Sequence, residues 1–175
     1  HISCHTSSHS YQVADLLLEN KSFGEAALEF EKTAYEYSLN EKSSEAGYAA
    51  VYSYRKHLDA IAPEDKDAVK REIVRSSLKF ADTFPDHKKA AIVLGAAADD
   101  LYEMKEYDQA LTTANKVLEA FPDTEADVAR AAWLVIGHSS YELQRYSEAE
   151  SAYLKVLALL SEEDTTRNDL MNNLA

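Results

Sequence analysis

Leu101-Tyr102-Glu103-Met104-Lys105-Glu106-Tyr107 lies over Ser140-Tyr141-Glu142-Leu143-Gln144-Arg145-Tyr146 without a gap. The match runs through Ala110 and Ala149 to Lys116-Val117-Leu118 and Lys155-Val156-Leu157, at a constant offset of 39 (140 against 101). An earlier copy reads Leu17-Leu18-Glu19-Asn20-Lys21-Ser22-Phe23, with Ala26 in the place of Ala110. Phe84-Pro85-Asp86 and Phe121-Pro122-Asp123 each close an apolar-periodic helix and mark equivalent points along the chain. A repeat of this length predicts helical hairpins, each too small to bury its apolar face without a neighbour.

Composition agrees with a helical chain. Of 175 residues, only four are glycine and three are proline, fewer turn residues than a β or α/β fold of this size usually needs. Alanine, glutamate, leucine and lysine are frequent, and their side chains lose little freedom in a helix. The expected fold is all-α. The expected hairpins are 10–40, 42–85, 87–122 and 124–161, and a partial repeat at 163–175 begins another apolar stripe with Leu170, Met171 and Leu174. The run Glu162-Glu163-Asp164 reads as the turn before that last helix. Residues 1–9 are polar, serine-rich and aperiodic, and read as a disordered or vector-derived leader.

The second hairpin departs from the others. Its first helix, near 44–58, carries Tyr48, Tyr52 and Tyr54 and shows no clear pair of large and small crossing residues. An Ala62-Pro63-Glu64-Asp65 turn follows, and Ile73 occupies the position where a small residue is expected. This hairpin should therefore be longer and more splayed.

The repeats resemble the tetratricopeptide family. The last copy places Trp133, Ile136-Gly137, Tyr146, Ala149, Tyr153 and Val156 where that family's pattern wants large and small residues. The preceding copy supplies Leu94, Ala97-Ala98, Leu101, Tyr107, Ala110, Ala114, Val117 and Pro122, and the first Val13-Ala14, Leu17, Phe23, Ala26, Phe30 and Thr33. The resemblance implies a right-handed superhelical stack of about four hairpins plus the start of a fifth. Gly137, Ala98 and Ala14, with Ala26, Ala110 and Ala149, would sit at helix crossings.

The formal net charge is −13, from 31 acidic and 18 basic residues, which disfavours phosphate backbones and anionic membrane surfaces. Cys4 is the only cysteine, so the chain has no internal disulfide and no cysteine-based structural zinc site. No apolar run has the length of a membrane span. His5 and His9, four apart, have the spacing of metal ligands on a helix, with His1 and Cys4 nearby, yet Ser3, Thr6, Ser7 and Ser8 argue against a helix there; no metal is expected. His57, His87 and His138 fall on different hairpins without a nucleophile and orienting group, and no glycine-rich phosphate loop occurs. Neither cofactor nor catalysis is expected. Asn20-Lys21-Ser22 fits a glycosylation sequon, a tripeptide that also arises freely in turns.

In the resembled family the first helices of the hairpins line a concave groove. Carried over residue by residue, the groove would present Asp15, Leu18 and Glu19 from the first copy, and Tyr48 or Tyr52 from the second. The third would add Asp99, Tyr102 and Glu103, and the fourth His138, Tyr141 and Glu142. Tyr107, Tyr146 and Tyr153 are assigned to packing. The groove so drawn is acidic and aromatic, lacks the lysine and asparagine that clamp a terminal carboxylate in some family members, and suits a basic or amphipathic peptide. The expected function is a non-catalytic protein-binding scaffold. A self-associating homodimer module and a regulatory domain cut from a larger protein are the alternatives. The Phe-Pro-Asp hairpin ends resemble repeats of bacterial envelope proteins that assist assembly, which favours the periplasm over the cytoplasm.

Overall fold

The computed structural model describes the backbone of residues 2–173 and the side chains of residues 7–162. Eight α-helices and no strand occur among these residues. The helices are α1 (Ile2–Glu19), α2 (Phe23–Tyr35), α3 (Ser43–Ala60), α4 (Lys66–Thr83), α5 (Ala90–Glu103), α6 (Tyr107–Ala120), α7 (Ala126–Glu142) and α8 (Tyr146–Asn173). A single 3-10 turn, Pro63–Asp65, precedes α4. The chain forms two compact units, residues 1–93 and 94–175.

Helices pack on their neighbours in sequence. In the first unit α1 packs on α2, α2 on α3 and α3 on α4; in the second α6 packs on α7 and α7 on α8. Small side chains make the close crossings. Ala14, Ala26, Ala98, Ala110 and Ala149 are all buried, and Gly137 lies against the Tyr153 ring. In the first unit Ala14, Ala26, Phe30 and Ala34 form one cluster with Ala46 and Ala50 of α3, and Ala27 joins Tyr54 and Ile73 in another. Fully burying a side chain such as Phe30 is worth about 1.5–3 kcal/mol relative to exposure. In the second unit Leu94, Ala97, Leu101, Ala114 and Val117 are buried, and Trp133 on α7 is half-buried.

Of the four connections α1–α2, α3–α4, α5–α6 and α7–α8, three are the same device. Lys21, Lys105 and Gln144 all adopt left-handed backbone conformations, with φ of 60°, 62° and 61°. In each turn the next amide reaches back five residues: Ser22 to Leu17, Glu106 to Leu101 and Arg145 to Ser140, at 2.8–2.9 Å. The left-handed residue's own amide reaches back three, to Leu18, Tyr102 and Tyr141. This pair of bonds satisfies the last carbonyls of the helix, and glycine is the residue that takes the position without steric cost. Lys105→Gly should therefore raise the unfolding free energy by about 0.5–1 kcal/mol, read from the urea midpoint at unchanged m-value. A lower midpoint would mean that the lysine side chain contributes more than its backbone costs.

The second pair is built differently, as its sequence implies. Its linker is the 61–65 segment rather than a two-residue turn, and α3 and α4 have 18 residues each against 14 each for α5 and α6. Its small crossing residue is Gly47. A Cβ there would lie 3.0 Å from Phe80 Cδ2, 3.1 Å from Phe84 Cε2 and 3.2 Å from the Tyr35 hydroxyl. Ile73 is fully buried.

Two expectations are corrected. Helix α1 begins at Ile2, so the serine-rich leader is helical; Ser7 is buried and accepts a hydrogen bond from Asn40 Nδ2, while Ser10 donates to Glu29 Oε1. Serines on a buried helix face are tolerated when their hydroxyls find such partners. His1, Cys4 and His5 lie outside the residues whose side chains are described. Likewise, Glu162-Glu163-Asp164 form no turn: α8 runs unbroken through them, so no separate partial hairpin begins at 163. The segment holds neither glycine nor proline, and extending a helix costs far less than starting a new one. Leu170, Met171 and Leu174 lie outside the described side chains.

Candidate functional site

Each unit carries its own share of the expected groove residues. In the first, Asp15 and Glu19 project from the last turns of α1. Burial raises the Asp15 pKa, the Glu19 carboxylate adds to the shift and Lys42 opposes it. Lys42 also caps the Tyr11 ring, its Nζ 5.4 Å from the centroid. Leu18 is half-buried against the α1–α3 core cluster, and Glu19 is exposed. Tyr52 is 44% exposed with Lys56 Nζ 5.6 Å above its ring.

Tyr48 belongs to an aromatic cage. Its ring stacks on His87 at 5.8 Å and sits 6.2 Å from Phe80, which meets Phe84 at 6.0 Å and His87 at 5.1 Å. The Lys89 amide donates to His87 Nδ1 at 3.0 Å, so that nitrogen carries no proton. The proton therefore sits on Nε2 and is donated to Glu45 Oε1 at 3.0 Å. The His87 side chain is only 6% exposed. It is a satisfied structural histidine, and Tyr48 packs against it.

In the second unit Tyr102, His138, Tyr141 and Glu142 come together. Tyr102 stands 5.6 Å from Tyr107 and 5.7 Å from His138, and His138 stands 5.5 Å from Tyr153. His138 Nδ1 and the Tyr153 hydroxyl share a 2.8 Å hydrogen bond. Tyr141 meets Tyr146 edge-on at 5.4 Å. Burial raises the Tyr102 pKa, helped by the nearby Glu142 carboxylate and Tyr107; burial raises that of Tyr153, helped by Tyr102, Tyr141 and Glu142. Asp99, Glu103 and Glu142 are exposed. The set offers π faces, phenol hydroxyls and carboxylates, groups that attract an arginine or lysine side chain.

The repeat pattern assigns Tyr146 and Tyr153 to packing. Tyr153 does cover Gly137, yet it also holds His138. Tyr146 is 58% exposed, which corrects its assignment; its ring meets Tyr141 edge-on. Tyr141, Tyr146, Ala149, Glu150, Tyr153, Leu154 and Leu157 line an open hollow of about 300 Å³.

Tyrosine ionisation gives a pH prediction. Burial and the Glu31 carboxylate push Tyr54 from 10.0 up to about 12, and Tyr11, Tyr102 and Tyr153 are also raised. A phenol that keeps its proton longer when folded contributes stability that is intact below the unfolded pKa. That stability is lost as pH rises from about 10 through 12. Tyrosinate absorbance should thus appear in two waves, the later one coincident with loss of helical circular dichroism. A single wave near 10 with the helices intact would contradict this.

Among the described residues no helix is long and apolar enough to cross a membrane. No protein-family model matches the chain, and no curated protein matches it.

Proposed function

We propose that the chain is a non-catalytic scaffold of the tetratricopeptide type, a right-handed solenoid whose first helices offer a groove to a basic peptide. Three equivalent hairpin turns with buried small residues at their crossings support the repeat reading. The observation that carries the binding reading is the Tyr102–His138–Tyr153 row with Tyr141 and Glu142 beside it. Such rings supply contact area at little entropic cost, and the carboxylates select a cation. The envelope of a bacterium is the proposed setting.

The test uses a labelled arginine-rich peptide containing prolines, which cannot become a helix. Anisotropy should show binding that weakens about tenfold or more in Tyr102→Ala, a loss of about 1.4 kcal/mol or more, with the melting temperature unchanged. It should also weaken as salt rises. Equal binding by wild type and variant would remove Tyr102 from the site, and no binding at all would remove the groove.

A further inference from the structure

The head of α5 is held by His87. Amides at the start of a helix have no carbonyl one turn back to receive them. His87 supplies two acceptors there: its ring Nδ1 takes the Lys89 N–H at 3.0 Å, and its carbonyl takes the Ala90 N–H at 2.9 Å. Serine, threonine, asparagine or aspartate usually gives the side-chain acceptor at such a place, and none of these gains or loses a proton between pH 5 and 8. Histidine does. The same ring is also built into the first unit. It stacks on Tyr48 at 5.8 Å, stands edge-on to Phe80 at 5.1 Å and donates from Nε2 to Glu45 Oε1 at 3.0 Å. It borders an open hollow of about 540 Å³, lined in part by Glu45, Thr83, Asp86 and Lys88, through which water reaches it.

We infer that His87 is an acid-sensitive latch: a proton taken from water at Nδ1 releases the Lys89 amide and frees the first turn of α5, while the ring stays held by α3. Valence fixes the chemistry. An imidazolium has two N–H donors and no acceptor, so no rotation of the charged ring restores the bond from Lys89. The groups around the ring decide what stays fastened. From α3, the Glu45 carboxylate accepts from Nε2 in either charge state, and the face of Tyr48 attracts a cation. α4 faces the ring with uncharged Phe80, and Lys79 of that helix is turned to the Tyr35 ring of α2 instead. Asp86, Lys88 and Lys89 adjoin it in the chain, one acid against two bases. The charged ring therefore keeps its hold on α3 and lets go on the α5 side.

Amide exchange and histidine ring nitrogen shifts, both read by NMR on the whole chain at pH 8 and pH 5, are the test. Protection of the Lys89 amide, corrected for the intrinsic pH dependence of exchange, should fall at least tenfold at pH 5. The fall should coincide with passage of the His87 ring from one proton to two. The Ile73 and Val74 amides inside α4 should keep their protection, which separates a local release from general unfolding. His87→Asn puts Oδ1 where the ring has Nδ1, and should protect Lys89 equally at both pH values. His87→Gln keeps an Nε2 for Glu45 but no acceptor at the δ position, and should leave Lys89 weakly protected at both. The idea is overturned by a ring that holds a single proton down to pH 5, or by Lys89 protection that is unchanged once the ring is doubly protonated. Loss of Ile73 and Lys89 protection together, or a pH dependence that survives in His87→Asn, would overturn it as well. The wild-type measurement stands by itself should either variant fail to fold.

Discussion

Phe80→Ala is expected to lower the unfolding free energy of the first unit by about 3–5 kcal/mol, the usual cost of deleting a fully buried phenylalanine. The ring is completely enclosed and touches Phe84, His87 and Tyr48, and its Cδ2 would stand 3.0 Å from a Cβ at Gly47. Few neighbours can move in to fill the space. Phe84 is pinned by stacking on Tyr35, and His87 is tied at both nitrogens, to Glu45 and to the Lys89 amide. A relaxed cavity is therefore not available, which places the cost in the upper half of that range. Urea unfolding is the measurement. Phe80→Leu, which restores most of the volume, should recover more than half of the loss. A cost below about 1.5 kcal/mol for alanine would mean that α3 and α4 collapse onto each other after all.

Gly137→Val should cost about 2–3 kcal/mol in the second unit, at the upper end of what overpacking a helix crossing does. A Cβ at this position would lie 2.7 Å from Tyr153 Cε1 and 2.9 Å from Cδ1, so the ring must leave. Leaving breaks its 2.8 Å hydrogen bond to His138 and opens the aromatic row. Alanine meets the same ring but gains about 1 kcal/mol of helix propensity over glycine, so Gly137→Ala should cost much less than valine. The double variant gives the decisive comparison. In a Tyr153→Ala background the ring is gone, and Gly137→Val should become nearly neutral. An additive pair would show that something other than the ring limits position 137.

The hairpin turns were legible in the residues because Leu101 to Tyr107 and Ser140 to Tyr146 share one register, and a shared register fixes which carbonyl each amide can reach. The pairing of α3 with α4 was not. Its linker spans 61–65, so counting from the tyrosines could not show that Gly47 sits under Phe80 and Phe84, more than 30 residues away in sequence. Acidic runs mislead for a related reason. Glu162-Glu163-Asp164 fits a turn and a solvated helix equally well, and only the absence of a glycine or proline argues for the helix.

The proximity of some candidate residues was legible. Tyr102, His138, Tyr141 and Glu142 do gather, because a 39-residue repeat puts equivalent residues on equivalent turns of α5 and α7. The stacking of Tyr48 was not legible: no local pattern announces that His87, 39 positions on, will lie against it (87 against 48). The role of Tyr153 in holding His138 was hidden because its packing duty against Gly137 already accounted for it.

Trp133, half-buried on α7, is the sole indole of the chain and lies in residues 94–175, while six of the eleven tyrosines lie in residues 1–93. Emission excited selectively in the indole band thus follows one half of the molecule, whereas the amide signal sums both. Superimposable melts from the two signals would mark a single cooperative transition, and separated melts would show that each half lets go on its own. Nature has installed a reporter that makes the coupling between the halves measurable without a label.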